Sequence, residues 1–117
     1  DIFQDGKKNL AEVTQGGANN ASTVTQNLGN TTSLTDTNNK AFVTQNGDDN
    51  TSFVNQGVTN PVSGINNTAL VEQMGDLNLS TINQEGSNND AKVFQTTNGN
   101  TSTVTQLGTF GSAIVNQ

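Results

Sequence analysis

At 117 residues and 29% hydrophobic content, the chain has room for one domain and too little apolar material for a conventional mixed core, which runs at about 45–50%. It holds 20 Asn, 10 Gln and 12 Gly but no His, Cys, Trp, Tyr or Arg, which removes disulfides, thiolate catalysis and most zinc chemistry. The net charge of −6 comes from ten scattered carboxylates against Lys7, Lys8, Lys40 and Lys92. With no basic stripe and no apolar run of ~18–20 residues, neither nucleic acid binding nor membrane insertion is expected.

The chain opens with Asp1-Ile2-Phe3-Gln4, which fits the second half of a repeat, so residues preceding Asp1 are expected. From Gln4 onward glutamine recurs every eleven residues along most of the chain, at Gln15, Gln26, Gln45, Gln56, Gln73, Gln84, Gln95, Gln106 and Gln117. Composition alone would suggest disorder or β-aggregation, whereas this periodicity argues for order. A unit this short holds one strand and one turn, stable only when stacked on its neighbours. Written out, it is Gln-x-Gly-x-x-Asn-x-Ala/Ser-x-Val-x-Gln, as in Gln4, Gly6, Asn9, Ala11, Val13 and Gln15.

Asn, the small residue, Val and Gln stand at alternate positions, so in a strand all four face one way, and they are the expected interior. The intervening positions vary and often carry charge or Thr, as a solvated face should. Ten strands are predicted, closing at Gln15, Gln26, Asp36, Gln45, Gln56, Gln73, Gln84, Gln95, Gln106 and Gln117. Their apolar columns are Val13, Val24, Leu34, Val43, Val54, Val71, Ile82, Val93, Val104 and Val115. Amide ladders are expected from those glutamines together with Asn9, Asn20, Asn30, Asn39, Asn50, Asn67, Asn78, Asn89 and Asn100, each side chain bonding the same residue in the rung above. The turns carry Gly6, Gly17, Gly47, Gly75, Gly86 and Gly108, where a sharp reversal needs positive φ.

Irregular units are also informative. The third and fourth are shortened, with compressed turns at Leu28-Gly29 and Thr37-Asn38, and Asp36 replaces the closing Gln. The sixth has about six extra residues, predicting a loop at 57–66 around Pro61, which cannot donate to a ladder. Gly111 stands where Asn is expected.

The small inward residue then runs Thr32, Ala41, Ser52, Ala69, Ser80, Ala91, Ser102, Ala113. That alternation predicts odd strands in one sheet and even strands in the other: an all-β, two-sheet parallel β-solenoid of about 22 residues per coil, spanning 1–117 as a single domain. Ala11 and Ser22 reverse the order, which reads as tolerated exchange. The outward column through Glu12, Ser33, Phe53, Thr81 and Thr103, and its counterpart through Thr23, Phe42, Leu70, Lys92 and Ile114, give no uniform Thr grid of the kind an ice-binding face needs.

The pattern Gln-x-Gly-x-x-Asn-x-Ala-x-x-x-Gln, in tandem over nearly all of the chain except the Pro61 loop, closely resembles the curlin repeat of bacterial curli subunits. The resemblance implies a functional amyloid, secreted through a dedicated outer-membrane channel and polymerising into cell-surface fibres of adhesive biofilm matrix, with a nucleator subunit as partner. Many major subunits of that family have Ser where this chain has Asn20, Asn39, Asn67 and Asn89, so a major and a minor, nucleating role both stay open.

The expected function is self-assembly. Strands Asn9, Ala11, Val13, Gln15 and Ala113, Val115, Gln117 would be the end strands of a head-to-tail homopolymer, growing by edge addition. Outward Phe42, Phe53 and Phe94 offer lateral contacts between fibres. The alternative is a monomeric β-solenoid adhesin or binding module. No catalytic residue, metal site or cofactor is expected, since the carboxylates lie on turns and outward positions.

Overall fold

A computed structural model describes residues 1–26, 37–57 and 65–117. These residues form ten strands and no helix: β1 (Ile2–Gln4), β2 (Leu10–Gly16), β3 (Ala21–Gln26), β4 (Lys40–Asn46), β5 (Thr51–Gln56), β6 (Thr68–Met74), β7 (Leu79–Ser87), β8 (Asp90–Gln95), β9 (Thr101–Thr109) and β10 (Ser112–Asn116). The first sheet runs β1-β3-β5-β7-β9 and the second β10-β8-β6-β4-β2, all paired parallel. Successive strands thus alternate between two stacked sheets, a two-sheet parallel β-solenoid.

Like residues stack on like. In the second sheet Ala11 pairs with Ala41, Ala41 with Ala69 and Ala69 with Ala91. Ser22, Ser52, Ser80 and Ser102 stack in the first sheet. Between the sheets lies a dry column of Val24, Val43, Val54, Val71, Ile82, Val93 and Val104, none more than 6% exposed. The period-2 pattern produces this directly, because any shift of register by one residue would turn every Val and Gln to solvent.

The register corrects the expected parity of the first strands. β2 pairs directly with β4 and β3 with β5, so the strand closing at Gln15 shares a sheet with the one closing at Gln45, not with the odd-numbered set. The Ala11 and Ser22 order is therefore no exchange: Ala belongs to the second sheet and Ser to the first in every described rung. The candidate strand through Asn30, Thr32, Leu34 and Asp36 lies outside the described residues, as do Leu28, Gly29 and Pro61.

Coil length follows from the same register. Stacked glutamines are 22 residues apart in the first coil and the last ones, 30 apart from Gln15 to Gln45 and Gln26 to Gln56, and 28 apart from Gln45 to Gln73 and Gln56 to Gln84. Two coils thus exceed the 22-residue unit, by eight and by six residues. In sequence, both additions fall between a first-sheet strand and the next second-sheet strand.

Candidate self-assembly site: amide ladders and outer strands

The closing glutamines of the inner rungs reach the interior at the end of their strands and divide their two N–H donors. One bonds the Oε1 of the glutamine in the next rung. In the first sheet this chain runs Gln4 to Gln26 (2.6 Å), Gln26 to Gln56 (2.8 Å), Gln56 to Gln84 (2.9 Å) and Gln84 to Gln106 (2.8 Å). In the second it runs Gln15 to Gln45 (2.6 Å), Gln45 to Gln73 (2.8 Å), Gln73 to Gln95 (2.9 Å) and Gln95 to Gln117 (3.0 Å).

The other N–H crosses to the opposite sheet. Gln26 donates to the Leu10 carbonyl at 3.1 Å, Gln45 to Ala21 at 3.1 Å, Gln73 to Thr51 at 3.1 Å and Gln84 to Thr68 at 3.0 Å. A backbone carbonyl can only accept, so this bond fixes which end of each amide carries nitrogen. All the ladder amides consequently point the same way, with Nε2 toward the C-terminal rung. Gln26, Gln45, Gln56, Gln73, Gln84 and Gln95 are fully buried with their donors satisfied, a condition that Asn is too short and Glu too poor in donors to meet.

The asparagines work differently from the expected side-chain ladder. Their Oδ1 accepts the backbone N–H of the residue one rung on: Asn50 N–H to Asn20 (2.9 Å), Asn78 to Asn50 (3.0 Å) and Asn100 to Asn78 (2.9 Å) in the first sheet. In the second, Asn39 N–H reaches Asn9 (3.1 Å), Asn67 reaches Asn39 (2.9 Å), Asn89 reaches Asn67 (3.0 Å) and Gly111 reaches Asn89 (2.9 Å). Nδ2 then clamps the arches, as Asn20 does to the Gly16 carbonyl of its own arch and the Gly47 carbonyl of the next rung's arch, at 2.7 and 2.8 Å. Gly111 satisfies the rung below with its backbone alone but offers no Oδ1 to a rung above.

The arches carry two left-handed residues, of which the repeat pattern showed one. Gly6, Gly17, Gly47, Gly75, Gly86 and Gly108 all have positive φ. Space forbids a side chain at several as well: a Cβ on Gly17 would lie 2.1 Å from the Gly47 carbonyl oxygen, and one on Gly47 2.2 Å from that of Gly75. The second site is the residue just before the inward Asn or Gly111, held at positive φ by Lys8, Asn19, Asn38, Asp49, Asn66, Leu77, Asn88 and Phe110. The doublets Asn19-Asn20, Asn38-Asn39, Asn66-Asn67 and Asn88-Asn89 were its signal, since Asn tolerates this region. The arch at 96–99 departs from the pattern, with Thr97 at the glycine position, and Asn78 Nδ2 below it is buried without a partner among the described residues.

Among the described residues, four strands have a neighbour on one side only. β2 and β10 are the edges of the second sheet, and β1 and β9 those of the first, so both sheets contribute an open strand at each end. Ala11, Val13, Ala113 and Val115 are only partly buried there, and Gln4, Gln15 and Gln117 are exposed, whereas their equivalents in the middle rungs are sealed. Gln106 and Gln117 give one N–H to the Asp90 and Thr101 carbonyls at 3.1 and 3.2 Å, and the second N–H has no ladder partner among the described residues. At the other end the Oε1 atoms of Gln4 and Gln15 accept no ladder bond among those residues.

The family model of the curlin associated repeat matches residues 1–27, 64–96 and 81–108, more than half of the chain. The chain belongs to the curlin-repeat family. No curated protein and no solved structure matches it. Curlin repeats are the units of structural amyloid subunits, and in this curlin-repeat chain the stacked rungs already show the parallel, in-register pairing and like-on-like ladders of cross-β order.

Proposed function

We propose that the chain is a structural subunit of an extracellular curli-like amyloid fibre, adding head to tail through its outer strands. The observation that supports this reading is the complementarity of the two ends. One presents amide donors at Gln106 and Gln117, the other amide acceptors at Gln4 and Gln15, in the same two columns that run through the interior. Seating β1 and β2 of a second copy on β9 and β10 of the first continues both glutamine ladders and seals Val13 against Val115. The contact is heterologous and need not close, so it propagates as a filament.

Within this reading, residues Asn9, Ala11, Val13 and Gln15 meet Ala113, Val115 and Gln117, with Gln4 and Gln106 completing the second ladder. A nucleating subunit and an outer-membrane channel are the further partners proposed from the family. The test is dilution of the chain from denaturant, followed by negative-stain microscopy and thioflavin fluorescence. Filaments whose lag phase is abolished by preformed seeds are expected. A persistently monomeric, β-rich species would overturn the fibre reading and favour a monomeric binding solenoid.

A further inference from the structure

The corrected register sorts the outward residues into two unlike faces. On the second sheet the outward columns are Leu10, Lys40, Thr68, Asp90, Ser112, then Glu12, Phe42, Leu70, Lys92, Ile114, then Thr14, Thr44, Glu72, Phe94, Asn116. On the first they are Ala21, Thr51, Leu79, Thr101, then Thr23, Phe53, Thr81, Thr103, then Phe3, Thr25, Asn55, Asn83, Thr105. Glu12 stacks on Phe42, and Thr23 on Phe53, the reverse of the columns expected from strand parity. The charges on the strands fall mostly on the second sheet; the first has Glu85, paired with Leu107 near the end of β7, and Asp1, whose carbonyl accepts the Val24 N–H at its N-terminal edge. Between those margins the three columns of the first sheet hold no charge: they carry threonines, of which Thr25 is buried, two asparagines, Ala21, and the apolar Phe3, Leu79 and Phe53, the last 41% exposed.

Resting on the fibre reading, we propose that this uncharged face is the lateral contact between neighbouring filaments, and that its occupant is the same face of a second copy. Two features suit it to becoming dry. Its central columns hold no ion to strip of water, Asp1 and Glu85 lying at its margins, whereas the opposite face would have to strip Lys92 and Asp90, a pair at 3.0 Å with both side chains still more than a third exposed. Its outward amides are already linked rung to rung, Asn55 Nδ2 donating to Asn83 Oδ1 at 2.8 Å, so part of their hydrogen-bonding demand is met before burial.

Area decides when the contact forms. Six-residue strands at ~3.3 Å per residue and five rungs at ~4.8 Å give about 500 Å² per face, or about 1,000 Å² for a facing pair. That falls short of the ~1,200–2,000 Å² of a stable interface, so single subunits do not pair through it. Two filaments repeat the contact at every subunit and pass the threshold within two. Bundling therefore follows elongation.

The experiment compares filaments of the unaltered chain with Thr81→Lys/Thr103→Lys on the uncharged face and Thr44→Lys/Thr68→Lys on the charged one, by electron microscopy and seeded thioflavin kinetics. Single Thr103→Lys, at an exposed position, serves if the double variant does not assemble. The expected result is bundles for the unaltered chain and the charged-face variant. Single filaments are expected for the uncharged-face variant, with mean width at least halved, seeded elongation within about twofold, and bundling regained near 0.5 M salt, where the Debye length falls to about 4 Å. Bundles that persist in the uncharged-face variant, or that only the charged-face variant splits, overturn the proposal. So do unaltered filaments that stay single, which leave that face to another occupant such as a polysaccharide surface. A chain that forms no filament at all overturns the fibre reading itself.

Discussion

Single residues in this fold are tested against their own copies one rung away, and the serine column fails one such comparison. The Oγ atoms of Ser22, Ser52, Ser80 and Ser102 are buried without a partner among the described residues, while the second sheet fills the equivalent position with Ala. Serines one rung apart are separated by ~4.8 Å, too far to bond one another. An unsatisfied hydroxyl costs about 1–3 kcal/mol, and its removal leaves a volume that the Ala column shows the fold accepts. Ser52→Ala and Ser80→Ala are each predicted to stabilise by about 1 kcal/mol, read as a raised guanidinium midpoint for the folded chain. Unchanged or lowered midpoints would show that these hydroxyls are satisfied after all. Glutamine is the opposite case, because its length and two donors fit the closing position and its recurrence alone announced the ladders.

At the scale of the element, the strand is stereotyped and the arch is not, and legibility followed that difference. Alternation of inward and outward residues has period two whatever the side chains are, so Val13 through Val115 could be placed on one face from spacing. The strand through Asn30 and Leu34 fits the same alternation and was counted on that ground. The phase slip between Ala11, Ser22 and the later Ala and Ser is the sequence signal of the β2–β4 pairing, and it becomes meaningful only when that pairing is seen. The arches hid their second left-handed site because Lys8, Leu77 and Phe110 occupy it beside the expected Asn and Gly. A bulky residue there costs about 1–2 kcal/mol. Leu77 is 65% exposed and so contributes little burial in return. Leu77→Asn, which recreates the Asn-Asn doublet with Asn78, is predicted to stabilise by about 0.5–1 kcal/mol, read as a raised denaturation midpoint. A loss of stability would mean that Leu77 packs on something that matters more than its backbone.

For the whole molecule, the repeat makes interior and end surfaces the same surface, differing in whether another rung covers it. The exception is Gly111. Every other described rung boundary of the second sheet has an asparagine Oδ1 beneath the next backbone N–H, but a copy seated on β10 finds none under its Asn9. Gly111→Asn should restore the bond. A Cβ there meets Asn89 Oδ1 at 2.9 Å and Gln106 Nε2 at 3.1 Å, both side-chain termini and not backbone, so a shift of a few tenths of an ångström must accommodate it. Filaments of this variant are predicted to resist sonication, with median length after a fixed pulse at least doubled relative to the unaltered chain. Equal lengths would show that the junction is no weaker than the interior. A fibre so built resembles a rod scored at regular intervals, about every 24 Å for five rungs at ~4.8 Å. Under shear it parts at the scores, between molecules and not through them, so every fragment keeps two intact growing tips. Breakage then multiplies fibres instead of destroying them.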